Sequence, residues 1–143
     1  MLSTQYEPLR LGLNIPPKKI MVVEDDITLE PVLSGIFASI HPELEYKWVV
    51  TAEEAEQELA KNCDDYGLIL ADHYLLGKET GLDLFELCQE RYPQIPCVIM
   101  SGAGVDKFSK IVGQNRIFPP FLSKPFFIGE CKQILEGLMG PNL

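Results

Sequence analysis

Three short stretches of this chain are apolar from end to end and stop abruptly at a polar residue. Ile20-Met21-Val22-Val23 runs into Glu24-Asp25-Asp26, Leu68-Ile69-Leu70-Ala71 into Asp72, and Cys97-Val98-Ile99-Met100 into Ser101-Gly102. A strand with one face in water alternates apolar and polar residues, so an unbroken apolar run reads as a strand covered on both faces. Tyr46-Lys47-Trp48-Val49-Val50 reads as another strand. Ile117 to Leu122 reads as a fifth, and Pro119-Pro120 within it predicts a short strand at a sheet edge.

Helical periodicity fills the gaps. Leu29, Val32, Leu33, Ile36, Phe37 and Ile40 recur at helical spacing, with Pro31 tolerable in the first turn and His41-Pro42 closing the segment. Thr51 to Glu54 matches a capping box, and Ala52, Ala55 and Leu59 follow on one face. A loop through Gly77 to Gly81 leads to a helix carrying Leu84, Phe85, Leu87 and Cys88, which stops before Pro93. Weaker periodicity surrounds Phe108, Ile111 and Val112, and a last helix carries Ile128, Cys131, Ile134, Leu135 and Leu138. Five strands alternating with five helices predict an α/β fold. Its sheet is parallel, its crossovers right-handed, and helices cover both faces.

A chain of 143 residues that is 46% hydrophobic suits one domain with one packed interior. Its formal charge of −9, from 21 acids against 12 Lys plus Arg, argues against direct nucleic-acid binding, which needs clustered cations. Cys63, Cys88, Cys97 and Cys131 are widely spaced among apolar residues and read as small hydrophobes in a reducing compartment. No membrane span or secretory signal is visible, so a cytoplasmic protein is expected. Residues 1–17 are expected to form a flexible N-terminal extension, 18–139 the domain, and 140–143 a C-terminal tail.

In an open parallel sheet, ligands bind outside the carboxyl ends of the strands. Those ends carry Glu24-Asp25-Asp26, Asp72, Ser101 and Ser123-Lys124-Pro125. Carboxylates gathered in a cleft raise each other's pKa unless a cation neutralises them, and magnesium favours carboxylate, water and phosphate oxygens. An Asp carboxylate can attack phosphorus directly. A metal, a lysine and a hydroxyl can then stabilise the equatorial oxygens of the transferring group. Asp26 reads better as a helix N-cap than as a ligand.

Val22-Val23-Glu24-Asp25-Asp26, Leu70-Ala71-Asp72, Ile99-Met100-Ser101-Gly102 and Phe121-Leu122-Ser123-Lys124-Pro125-Phe126 resemble the signature segments of two-component response-regulator receiver domains, in family order over residues 18–139. The resemblance implies a flavodoxin-like sheet of order 2-1-3-4-5 and Mg2+-dependent phosphorylation of Asp72. It implies Asp25 and Asp72 as direct metal ligands, Glu24 acting through a water, and the backbone carbonyl of Tyr74 completing the set. Ser101 and Lys124 would bind the phosphoryl oxygens, Ser101 and Phe121 would switch on phosphorylation, and the bond before Pro125 would be cis. The family usually has proline where this chain has Leu76, and Gly81 falls about one residue late. Tyr74 is bulky, Ala103 is apolar, and Pro119-Pro120 replaces small residues.

The function implied is a signalling domain that catalyses only its own phosphotransfer and dephosphorylation. It would be charged by a histidine kinase or phosphotransfer protein and would act on a downstream effector protein, as a monomer or a phosphorylation-dependent dimer. Two rivals stand beside it. Tyr74 and Leu76 also suit a pseudo-receiver that binds partners without phosphorylation. Glu24-x-Asp26-x-Thr28 approaches the Asp-x-Asp-x-Thr of haloacid dehalogenase-type phosphatases, with Glu24 where the nucleophilic Asp is needed. His73 is expected to be no catalytic base, and His41 to be structural.

Overall fold

The computed structural model describes residues 15–143, so most of the expected N-terminal extension lies outside the described residues. Five strands form one parallel sheet: β1 (Lys19–Val23), β2 (Tyr46–Val49), β3 (Tyr66–Asp72), β4 (Cys97–Ser101) and β5 (Phe121–Ser123). Their order is β2-β1-β3-β4-β5, so the two edges are β2 and β5. The helices are α1 (Glu30–Ile40), α2 (Ala52–Asn62), α3 (Gly81–Arg91), α4 (Val105–Val112) and α5 (Ile128–Met139).

The unbroken apolar runs become the central strands because both of their faces are covered. Side chains alternate across the sheet, so each run feeds two cores. Met21, Val23, Ile69, Ala71 and Ile99 pack with Ala52, Ala55 and Leu59 of α2, Leu84 and Phe85 of α3, and Phe108 of α4. Ile20, Val22, Leu68, Leu70, Val98 and Met100 pack on the other side with Leu33, Ile36 and Phe37 of α1 and Cys131 and Leu135 of α5. At roughly 1.5–3 kcal/mol for each large apolar side chain buried, these two layers dominate the stabilising side of folding.

The fifth strand is shorter than its sequence pattern. Pro119-Pro120 removes two successive ladder donors, so pairing with β4 begins only at Phe121, and Ile117 and Phe118 are left exposed. The first helix also starts later than its periodicity: Asp26 caps a 3-10 turn at Ile27–Leu29, and the α-helix follows with proline in its first turn. Cys88, Cys97 and Cys131 are buried free thiols, whereas Cys63 is half-buried. At the far end of the chain Gly140–Asn142 forms a 3-10 turn, and the Lys18 amide donates to the Asn142 carbonyl at 3.2 Å. No helix among the described residues is long and apolar enough to cross a membrane.

Candidate functional site

The carboxyl ends of β1, β3 and β5 deliver their polar residues to one cluster. Glu24, Asp25 and Asp72 each bring a carboxylate oxygen within 4.8 Å of the others. Lys124 joins two of them, with Nζ donating to Glu24 Oε1 at 2.7 Å and lying 3.3 Å from Asp72 Oδ1. The Lys124–Pro125 peptide bond is cis.

Glu24 is wholly buried and held from three sides. Its amide donates to the Val49 carbonyl, its carbonyl accepts from Trp48 Nε1 at 2.9 Å, and its Oε2 accepts from the Asp26 amide at 3.1 Å. Trp48 is a positioning residue that the sequence did not single out. Only the β1–β2 register, which pairs Trp48 with Val22, brings the indole to Glu24. Asp26 is exposed and uses Oδ1 to accept from the Thr28 amide and hydroxyl, as the N-cap reading expects. That geometry takes Asp26 away from the role a dehalogenase-type phosphatase would give it.

Electrostatically the pocket has more acid than base. Burial pushes the Glu24 and Asp72 carboxyls above the usual carboxylate range, and Lys124 acts against this in both cases. Asp25 adds repulsion at Asp72, as Asp72 does at Glu24. Burial also opposes the charge on Lys124, but the bond to Glu24 and the charge of Asp72 outweigh it, and the ammonium titrates above an ordinary lysine. One ammonium against three carboxylates leaves a donor set of hard oxygens and net negative charge, which fits a divalent cation. The cluster could hold a metal ion.

Ser101 ends β4 with no exposure, beside Ser123 in register, and its Oγ accepts from the Ala103 amide at 3.1 Å. The Lys124 amide donates to the Ser101 carbonyl at 2.9 Å, so Lys124, the first residue past β5, is fixed beside the end of β4. Tyr74 follows Asp72 by two residues with its side chain half exposed, its ring edge-on to His73 at 4.8 Å. Phe121 lies outside the acid cluster, its ring stacked on Phe108 of α4 at 4.8 Å. His73 is buried between Tyr74 and Phe108 with Nδ1 unbonded, and burial lowers its pKa.

Two further features of the β3–α3 connection escaped the sequence reading. Thr80 and Asp83 form a reciprocal capping box that opens α3. Gly81 passes the end of β3 so closely that a Cβ would overlap the Asp72 carbonyl, and its amide donates to the His73 carbonyl at 2.9 Å. Its apparent displacement along the sequence therefore still places a glycine at the crossing. An Asp at the third helical position after a threonine was the available signal for the cap.

No protein-family model matches the chain. It is 31% identical over 109 residues to the nitrogen assimilation regulatory protein NtrX of Azorhizobium caulinodans, a match covering 75% of this chain. The chain spans only 23% of that relative's length. The fold matches a response regulator receiver domain protein from Clostridium thermocellum, with a TM-score of 0.72 at 17% identity over 87% of this chain and 95% of that one. This is the receiver-domain fold. A second solved receiver domain, from a Pseudomonas aeruginosa sensor histidine kinase, has a TM-score of 0.69 at 20% identity, over 87% of this chain and 98% of that one. That structure holds a magnesium ion coordinated in its active-site cleft. The receiver fold thus fits both the strand order and the position of the acid cluster, at the carboxyl ends of its strands.

Proposed function

We propose that the chain is a phosphoacceptor receiver in a two-component phosphorelay, charged on Asp72 with Mg2+ bound by Asp25, Asp72 and the Tyr74 carbonyl, and by Glu24 through a water. The observation that carries this reading is the meeting of Glu24, Asp25 and Asp72 with Lys124 in one pocket. A carboxylate oxygen of Asp72 attacks the phosphorus of a phosphohistidine or a small acyl phosphate. The bond from phosphorus to the donor breaks, the donor leaves with its electron pair, and an acyl phosphate remains on Asp72. Bound magnesium supplies charge neutralisation to the phosphoryl oxygens.

The chain's own residues do the rest. Lys124 already stands against Asp72, where its ammonium meets a phosphoryl oxygen without travelling far. The Ser101 hydroxyl turns from the Ala103 amide and donates to the same group. Phe121, seated on Phe108, registers that movement toward α4 and β5. A phosphoryl group adds close to two negative charges, enough to rearrange such bonds and bias a two-state surface. The donor is a histidine kinase or phosphotransfer protein in the cytoplasm, the reader a downstream effector protein, and the chain a monomer or a phosphorylation-dependent dimer.

Intact-protein mass spectrometry after acetyl phosphate treatment tests this directly. A gain of one phosphoryl group that needs Mg2+ and disappears in Asp72→Asn is expected. If Asp72 takes no label while Asp72→Ala still binds partners, the chain is a phosphorylation-independent interaction module instead.

A further inference from the structure

Residues 73–80 connect Asp72 to α3, and they include two of the departures from the family pattern, Tyr74 and Leu76. In the fold this segment lies against the amino-terminal half of α2 and is fastened there at successive places. Leu76 forms an isolated parallel bridge with Thr51, the N-cap of α2. Gly77, at φ +95°, leaves room for Glu53 Oε1, which a Cβ would meet at 2.9 Å. The Lys78 amide donates to Glu53 Oε2 at 3.2 Å. Glu79 then faces Glu56, each with a buried carboxyl oxygen that has no hydrogen-bond partner.

That last contact needs a proton. Glu56 Oε2 and Glu79 Oε1 are both buried and without a hydrogen-bond partner. Two carboxylates offer each other only acceptors, whereas one protonated carboxyl turns the same contact into a hydrogen bond that satisfies both oxygens. The groups facing Glu56 are Glu53 on its own helix, Glu79 on the loop, and Arg91 and Cys88 on α3. Only Arg91 is a cation.

We propose that residues 76–79 form a strap on α2, closed by one proton shared between Glu56 and Glu79 and loosened when that proton leaves. Burial, then the bond and charge of Glu79 and the charge of Glu53, push Glu56 up to about 7 against the opposing charge of Arg91. An unfolded glutamate titrates near ~4.3. The strap's contribution is therefore complete below that unfolded value and is lost as pH rises through the folded one, so mild acidification closes it. Tyr74 belongs to the same connection. If Asp72 is the acceptor, as proposed above, closure steadies the Tyr74 carbonyl beside it, and phosphorylation becomes faster on the acid side of neutrality.

Backbone amide NMR of the full chain, unphosphorylated and without metal, tests the strap separately from the acceptor. Over about pH 5.5 to 8.5, Gly77 and Lys78 are expected to titrate with a midpoint near the Glu56 value of about 7. After correction for intrinsic rates, Lys78 exchange should be about tenfold faster on the alkaline side. In Glu56→Gln the carboxamide donates to Glu79 at every pH, so protection should persist and the titration vanish; Glu79→Gln provides the same test from the loop side. Resonances that stay fixed in the wild type overturn the strap. So does a midpoint unchanged in both variants, which would belong to a histidine such as His73. Asp72→Asn should titrate like the wild type. A strap that titrates in a protein taking no phosphate refutes the acceptor alone, and phosphorylation without the titration refutes the strap alone.

Discussion

Two groups of acids lie along the same β3–α3 connection and are kept from repelling each other by different means. At the strand ends, Glu24, Asp25 and Asp72 share Lys124, which reaches two of them. Against α2, Glu53, Glu56 and Glu79 have three buried carboxyl oxygens without partners, and the cation acting on Glu56 is Arg91. The first group has a fixed counter-ion and surplus negative charge, suited to a metal and a phosphoryl group at constant pH. The second depends on a proton and so on pH. Neutralisation by lysine preserves a charged site, whereas neutralisation by a proton makes a conditional contact.

Removing the fixed counter-ion should break the comparison most severely. Lys124→Met leaves the fully buried Glu24 without a cation. The expected loss is about 3 kcal/mol at neutral pH, near the lower end for breaking a buried pair, since Lys124 keeps some exposure. Urea unfolding measures it. Burial already holds Glu24 above the usual range, so its protonation restores stability as pH falls toward the unfolded value near ~4.3. The deficit should therefore shrink in acid; one that is constant with pH would show that the ion pair does not cause it.

Magnesium should separate the two groups next. At about 100 times its Kd, a ligand confined to the folded state adds about 2.7 kcal/mol of stability. The wild type and Glu56→Gln should both gain it, whereas Asp72→Asn should lose most of the gain. Trp48 is the chain's one tryptophan and its indole bonds the Glu24 carbonyl, so its emission should change along the same titration. An equal gain in Asp72→Asn would move the metal away from the acid pocket.

Much of this was legible in the sequence, for identifiable reasons. Unbroken apolar runs fix which strands are central, and in a parallel sheet that alone puts Glu24, Asp72, Ser101 and Lys124 at one edge. The capping role of Asp26 also followed from its place before a helix. What remained hidden depends on contacts between distant segments. The indole of Trp48 meets Glu24 only through strand register, and Glu56 meets Glu79 only because the loop lies across α2. The fifth strand is shorter than its apolar pattern because Ile117 and Phe118 resemble strand residues, although the two prolines after them deny the ladder its donors.

Gly81 joins the two regions and offers a smaller effect. In Gly81→Ala the added Cβ strikes the Asp72 carbonyl and lies 3.0 Å from His73 Cα, both of them backbone atoms that cannot rotate away. The cost should be about 2 kcal/mol, in the range for overpacking a tight site. The displaced Asp72 should also take phosphate more slowly. Unchanged unfolding and unchanged labelling together would mean that the crossing can relax without cost.

The smallest effect concerns the life of the phosphorylated form. Hydrolysis needs a water aligned behind phosphorus, opposite the aspartyl oxygen that leaves. Tyr74, two residues past Asp72 and half exposed, carries a ring braced edge-on against His73, and Ala103 brings no polar group to orient a water. Tyr74→Asn replaces that ring with a short amide able to hold the water. Phosphate loss from Asp72, followed by intact mass after the donor is removed, should accelerate about fivefold, which is ~1 kcal/mol in the barrier. An unchanged decay would mean that Tyr74 does not obstruct the water. The same variant also asks whether the connection moves as one piece. Faster decay with an unaltered Gly77 and Lys78 titration would show that the acid pocket and the glutamate strap act independently, whereas a shifted titration would show that the loop carries strain from one to the other.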